Sequence, residues 1–561
     1  MSYELVIRNA RIVDGSGADA WIGNVGIAEG KIAFVGPSST VGDEIVDAEG
    51  LVLAPGFVDI HTHYDAQLTW DPAATPSPEM GVTTVVIGNC GFGIAPCKPE
   101  HRDLTLRNLT KVEGMPLDAL LQGVRWRFES FAEYLESLEM GGLVPNVAAF
   151  ANHSCIRTFI MGADAAKREA NAEEIKAMAH ELETALAAGA IGLGTSTLES
   201  HNGEGGVPMP SRFASPQEFR AFAEVLGRFG RGALQITKGE SPSIEFMEEL
   251  AEISRRPIQI CPMLQDPGHP EAVFEFMDAY AAAAARGNDL YGQVSPFPEI
   301  MDFTLFEPYP LESLETWRPA MAAKDTEALC AVYRDEGFRQ RVREELTHAG
   351  APFRFSNQWN SMRIKTPGSE ESAKLMQATI AELAQERAVH PLDCMLDIAL
   401  ADGLKTEFTV GMFNSEESAV AELLRHPRST IGLGDAGAHL TFFCQAGTGL
   451  YLLQKYVRKR KAMRLEEAVQ RLTSQPAAAL RIPGRGKIEV GAAADLVLFD
   501  ADEVGLGPKC TVDDLPGGLE RVHTPARGVR GVWVNGERVV DEHGALHPVN
   551  RPGLVIREFD A

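Results

Sequence analysis

Apolar and polar residues alternate through the first 50 positions, as in ELVIRNARIVDG (4–15) and NVGIAEGKIAFVG (24–36), with Gly-containing turns between them. A period of two broken by such turns predicts antiparallel hairpins. The same texture returns in ADLVLFD (494–500), GVRGVWVNGERVV (528–540) and GLVIREF (553–559). An isolated hairpin is barely stable in water, so residues 1–55 and 485–561 are expected to join in one small β-sandwich domain built from both chain ends.

The middle has a different rhythm. Short apolar runs occur at GFVDIH, GVTTVVIGN, LVPNVAAFAN, GAIGLGTS, GALQITK, PIQICPML, DLYGQVSPF and STIGLGD, with helical segments between several of them. Eight such units in series predict an α/β chain whose residues 56–484 form a parallel (β/α)8 TIM-like barrel, with its chemistry at the C-terminal ends of the strands. In SPQEFRAFAEVLGRFG (215–230), Ser215 caps a helix, Pro216 takes its first position, and Glu218 is expected to complete a capping box. The last two strands are too far apart for one βα unit, which predicts an insertion at about 297–428. It includes the Phe- and Pro-rich SPFPEIMDFTLFEPYPL, and FRFSNQWNSMRI reads as an additional strand and turn. Such an excursion is either a lid or substrate-selecting element, or surface decoration.

At 561 residues the chain has room for a large barrel and something smaller. Its formal net charge of -26 argues against a nucleic-acid partner, which would require a surplus of Lys and Arg. No run of about 20 apolar residues is present, and the N-terminal stretch lacks a basic region followed by an apolar core, so neither membrane insertion nor export is expected. The 8 cysteines form no CxxC pair and read as reduced thiols, consistent with a cytoplasmic protein. No GxGxxG motif opens a helix after the first strand, which sets a dinucleotide cofactor aside. Oligomeric state is not legible.

Two histidines, His61 and His63, stand one residue apart at the end of the first apolar run. On a strand both would face the same side, at the mouth of a barrel, where paired neutral imidazoles favour a divalent ion such as zinc. A hydrogen-bonded surface pair is the alternative. Asp435, after the last apolar run, would project into the same mouth, where a carboxylate can hold a metal through one oxygen and accept a proton from the attacking water through the other. His439, four residues on, would contact the substrate or cap the next segment.

The stretches LAPGFVDIHTHYDAQ, GVTTVVIGNCGFGIAP, VEGMP, GAIGLGTSTLE, GDAGAH and KIEVGAAADLVLFD together resemble the amidohydrolase superfamily, specifically its N-acyl-D-amino-acid deacylase (D-aminoacylase-like) group. The resemblance implies a zinc-bearing barrel that hydrolyses the amide bond of an acylated amine or amino acid, a small-molecule substrate. It also implies roles position by position: His61 and His63 as a ligand pair, Cys90 as a thiolate ligand in a Gly-rich bend, and Asp435 as catalytic carboxylate and ligand.

Family members carry metal-binding histidines at the ends of strands 5 and 6, and an ungapped comparison places Ile236 and Pro262 there. Three repairs follow: a single ion on His61, His63 and Asp435; a polar contact from Lys238, carbamylated or not, or from Gln235; or recruitment of His153. Glu113 is a candidate partner for a ligand histidine. Arg157, Lys238 and Arg363 are candidate anchors for a substrate carboxylate. Met263, Leu264 and Gln265 follow Pro262 where the resembled enzymes recognise that carboxylate, which points to a less polar leaving group. Hydrolysis of a cyclic amide, lactone or carbamate, deamination, and a catalytically lapsed binding protein are the competing readings.

Overall fold

The computed structural model describes residues 3–38, 41–312, 314–347, 355, 357–440 and 444–560. Each of the eight apolar runs of the middle region contains a strand: β1 (Phe57–Asp59), β2 (Val82–Ile87), β3 (Asn146–Asn152), β4 (Gly192–Ser196), β5 (Ala233–Thr237), β6 (Ile258–Met263), β7 (Leu290–Val294) and β8 (Ser429–Ile431). They pair in sequence order, every neighbour parallel. A bridge between Thr62 and Ala436, with the His63 amide donating to the Ala436 carbonyl at 2.8 Å, ties the end of β1 to the end of β8. The strands are buried almost throughout, as a parallel sheet covered on both faces requires. Val58 and Ile60, opposite the histidines by the strand alternation, pack with Val86, Ala148, Ala477 and Phe559.

The chain ends share one mixed sheet. In it, Leu496–Phe499 lies between Val52–Pro55 and Val529–Val534, and Tyr3–Ile12 lies between Val52–Pro55 and Trp21–Ala28. Leu5, Ile7, Val25, Leu53, Leu498 and Trp533 belong to a common core, so neither end can bury its apolar face without the other.

One helix departs from its sequence pattern. Ser215 Oγ accepts from the Glu218 amide at 3.3 Å and Pro216 opens the helix Pro216–Phe229. The reciprocal bond of a capping box is not made, because the Glu218 carboxylate turns inward. There it accepts from His153 Nε2 at 2.7 Å and from Arg157 Nη1 at 2.7 and 2.5 Å, all three side chains being wholly buried.

A second compact unit comprises residues 264–276 and 296–423. Its three-stranded antiparallel sheet has Glu407–Phe413 between Glu299–Thr304 and Arg363–Thr366. Its core gathers Trp317, Tyr333, Phe338, Trp359 and Met395. Of the strand and turn expected over 353–364, the strand starts only at Arg363, and residues 353, 354 and 356 lie outside the described residues.

Candidate metal centre

His61 and His63 lie just past β1 with their rings 5.3 Å apart, edge to face. Asp435 reaches them from beyond β8: its Oδ1 is 3.2 Å from His61 Nε2 and 3.5 Å from His63 Nε2. The backbone that delivers it is unusual, since Leu433 and Asp435 both have positive φ, 56° and 42°. Non-glycine residues hold that conformation where surrounding structure forces it, commonly at functional sites. Cys90 is delivered the same way, at φ 57°. It follows Gly88 (φ +80°), where a Cβ would meet the Phe150 carbonyl oxygen at 2.4 Å, so only glycine makes the bend.

The Nδ1 of His61 lies 2.6 Å from Gln293 Oε1, to which it donates, so the lone pair stays on Nε2. That Nε2 is also 3.1 Å from Cys90 Sγ. Burial disfavours charge on the His61 ring, but the negative groups Cys261 and Asp435 beside it favour a positive charge there, a proton that a ligating Nε2 gives up when a cation takes its place. His63 behaves oppositely: burial brings it down to about 4, a neutral imidazole suited to ligation. Burial by itself would raise the Asp435 carboxyl, yet His61, His439 and His63 hold it well below the ordinary carboxylate range. Glu113, buried and pushed up by desolvation and by the Asp435 charge, places Oε1 3.4 Å from His63 Nδ1.

These side chains fit a divalent ion. Oδ1 of Asp435 is buried without a hydrogen-bond partner among the described residues. A tetrahedral zinc ion with nitrogen and oxygen ligands at its usual bond lengths separates them by roughly 3.3–3.5 Å. The two His–Asp separations match that spacing.

Cys261 was invisible to the ungapped comparison, which selected its neighbour Pro262. Cys261 shares one side of β6 with Gln259 and pairs in regular register with Thr237 of β5, which brings its thiol to the centre. Cys90 Sγ, Cys261 Sγ and a His61 ring nitrogen lie within 4.8 Å of one another. Burial alone would raise the Cys261 thiol, but hydrogen bonding from Cys90 and the His61 charge bring it down to about 5, while burial pushes Cys90 up. Gln235 spans the pair: its Oε1 accepts from the Cys90 amide at 2.7 Å and its Nε2 donates to Cys261 Sγ at 3.1 Å. Its amide is thus engaged within the protein, contrary to the expected metal or substrate contact. The available signal was polar residues two apart on barrel strands, Gln235 with Thr237 and Gln259 with Cys261.

Other expectations divide. His439 comes to the centre, Nε2 3.5 Å from Asp435 Oδ2. His153 and Arg157 do not serve as open substrate contacts: His153 Nδ1 pairs with Thr195 Oγ1 at 2.7 Å, its Nε2 and the Arg157 guanidinium are committed to Glu218, and neither residue is exposed. Lys238, half-buried past β5, donates to the Gly239 carbonyl at 2.8 Å. Arg363 is an exposed residue of the second unit. His201 was missed altogether; it bonds Ser196 Oγ at 2.7 Å and packs edge-on against Phe92, whose ring in turn faces His63.

A parallel barrel with two histidines and a carboxylate at the C-terminal ends of its first and last strands has the arrangement of a hydrolase of the (β/α)8 class. The model of the Amidohydrolase family matches residues 44–540, and the chain belongs to that family, which hydrolyses carbon–nitrogen bonds. It is 28% identical over 548 residues to D-aminoacylase of Alcaligenes xylosoxydans xylosoxydans, covering 96% of this chain and 95% of that one. It is 26% identical over 565 residues to the N-acyl-D-aspartate deacylase of the same organism, covering 100% and 96%. The solved N-acyl-D-glutamate deacylase of Bordetella bronchiseptica, complexed with zinc and a phosphonate mimic of the tetrahedral intermediate, shares the fold. Its TM-score is 0.64 at 23% identity, over 100% of both chains.

Proposed function

We propose that this amidohydrolase cleaves the amide C–N bond of an N-acylated amine or amino acid, using one zinc ion held by His61 Nε2, His63 Nε2 and Asp435 Oδ1. The observation that carries the reading is that Asp435 Oδ1, otherwise unbonded, lies 3.2 and 3.5 Å from the two imidazole nitrogens, the spacing of neighbouring ligands on a tetrahedral ion, with the three groups within 4.8 Å of one another. The ion would supply Lewis acidity to the scissile carbonyl and acidify the attacking water. The chain's own groups do the rest. Gln293 fixes the His61 tautomer, Asp435 accepts the water proton and hands it to the departing nitrogen, and His439 orients the outer carboxylate oxygen.

The relatives named for D-aspartate and D-amino-acid substrates release an amino acid, but here two of the cations proposed to hold its carboxylate, Arg157 and Lys238, are engaged inside the barrel unit. This supports a leaving group that needs no free carboxylate. In a panel pairing N-acyl amino acids with the corresponding N-acyl amines, the amines should be hydrolysed with kcat/KM at least equal; a strict requirement for the α-carboxylate would overturn this part of the reading. Metal analysis tests the centre itself. Wild-type protein should hold one ion per chain and His61→Ala none, whereas an undiminished metal content in the variant would remove His61 from the ligand set. All eight cysteines are free, which supports a reducing, cytoplasmic setting. Among the described residues no helix is long and apolar enough to cross a membrane.

A further inference from the structure

We infer that the hairpin 510–523 is a strap that holds the two loops of the metal centre in register, with Arg521 as its positioning residue, acting on Asp435 through His439. Its strands, Cys510–Leu515 and Leu519–His523, pair only with each other among the described residues, and of the residues in them only Leu515 and Arg521 are buried. A two-stranded hairpin is marginal in water, so this one owes its order to what it touches. The tip seats against Gly123, where a Cβ would meet Pro516 Cγ at 2.6 Å and the Trp70 ring at 2.7 Å. The buried guanidinium fixes the angle: Arg521 Nε and Nη2 donate to the two carboxylate oxygens of Asp514 at 2.6 and 2.7 Å, a planar fork with one favoured orientation.

From that strand two neighbouring residues reach the two loops. Arg521 Nη2 also donates to Thr75 Oγ1 at 3.3 Å. Thr75 is bound into the loop that follows the ligand histidines: its amide and hydroxyl donate to Asp71 Oδ2 at 2.9 and 2.7 Å, and its carbonyl accepts from Gln67 Nε2 at 2.9 Å. The Val522 amide donates to the Leu440 carbonyl at 2.8 Å, one residue past His439. His439 has φ 55°, a conformation that its surroundings must hold, and its own amide donates to the Glu113 carbonyl at 2.5 Å. The chain at His439 is thereby gripped on both sides, and its Nε2 stays 3.5 Å from the outer oxygen of Asp435. Tyr64, directly after His63, lies between the loops: its hydroxyl pairs with Ser77 Oγ at 2.7 Å, and its ring packs where a Cβ on Gly437 would meet it at 2.7 Å. The metal ligands themselves do not depend on the strap, since the Thr62–Ala436 bridge and the His63 amide already join β1 to the Asp435 loop. Loss of the strap should therefore affect proton transfer at Asp435 and not metal retention. That transfer rests on the proposed hydrolytic reading, but the coupling of hairpin to loop can be measured without turnover.

The test uses the full-length protein and three variants, Arg521→Gln, Arg521→Lys and Asp514→Asn. In metal-free protein, hydrogen exchange read by mass spectrometry should speed up about tenfold in each variant over 435–440 as well as over 519–523, and stay unchanged in β2–β5. In zinc-loaded protein, kcat for an acyl amide should fall about tenfold in all three, the scale that a small displacement of a catalytic group costs, with KM within about twofold and zinc per chain at the wild-type value. Arg521→Lys keeps the positive charge beside Asp514 but not the fork. It should hold the wild-type urea midpoint and still leave kcat low, whereas a residue that serves stability alone would have both restored. Full kcat in Arg521→Lys, loss of zinc in step with kcat, or exchange that rises over 519–523 alone would overturn the inference. The Asp514 side chain is half-exposed, so Asp514→Asn should fold even where Arg521→Gln does not, and it carries the same outcomes for exchange, kcat and zinc. Coupled exchange of hairpin and loop without wild-type turnover of any acyl amide would support the strap and count against the hydrolytic reading alone.

Discussion

Asp435→Asn should leave the barrel folded while lowering turnover of an acyl amide by about 10²–10⁴-fold, the range a positioned acid–base group contributes. Asparagine keeps the shape and one acceptor oxygen, but an amide cannot take up the proton that the attacking water must lose. The wild-type carboxylate is held ionised by His61, His439 and His63 against its own burial, so it is ready to accept that proton. Measurement of kcat, of bound metal and of far-ultraviolet circular dichroism separates the outcomes: full activity refutes the role, and loss of the circular dichroism signal would show a structural one instead.

Glu218→Gln should be the most destabilising single change outside the metal centre, at about 3–5 kcal/mol, because it strands the buried Arg157 charge without its counterion. The urea midpoint should fall accordingly while metal content per folded chain stays at the wild-type value. A pH series adds a signature. Burial would raise the Glu218 carboxyl, but His153 and Arg157 outweigh it and hold its pKa below the ordinary value. A carboxyl depressed in the folded state contributes stability that is present above its unfolded pKa and is lost as pH falls through the folded one. That acid-side loss should be smaller in the Gln variant. An unchanged midpoint at neutral pH would show that the ion triad is not a stabilising element.

The eight strands were readable because a parallel strand buried on both faces is written as an apolar run. His61 and His63 were readable because a spacing of two on a strand puts both on one side. Cys261 shares that spacing with Gln259 on β6, but a lone cysteine beside a proline carries no sign of which partners the barrel brings to it. Glu218 misled for a complementary reason: Ser215 and Glu218 have the spacing of a reciprocal cap, and the charges that draw the carboxylate away come from 61 and 65 positions earlier in the chain. Local pattern specifies which bonds a side chain can make near itself; the partners that win here are brought by the closed barrel. Arg157, expected at the substrate, is the other half of that same competition.

The interleaving of the two ends has a bearing on how the polypeptide is made. Tyr3–Ile12 and Val52–Pro55 leave the ribosome well before the strand that completes Val52–Pro55, Leu496–Phe499, which comes more than 400 residues later, and the Val147 amide waits for the Leu554 carbonyl. The earlier hairpins must therefore wait through several hundred residues of synthesis with an uncovered greasy edge, a period during which chaperone protection matters more than it would for a protein assembled front to back.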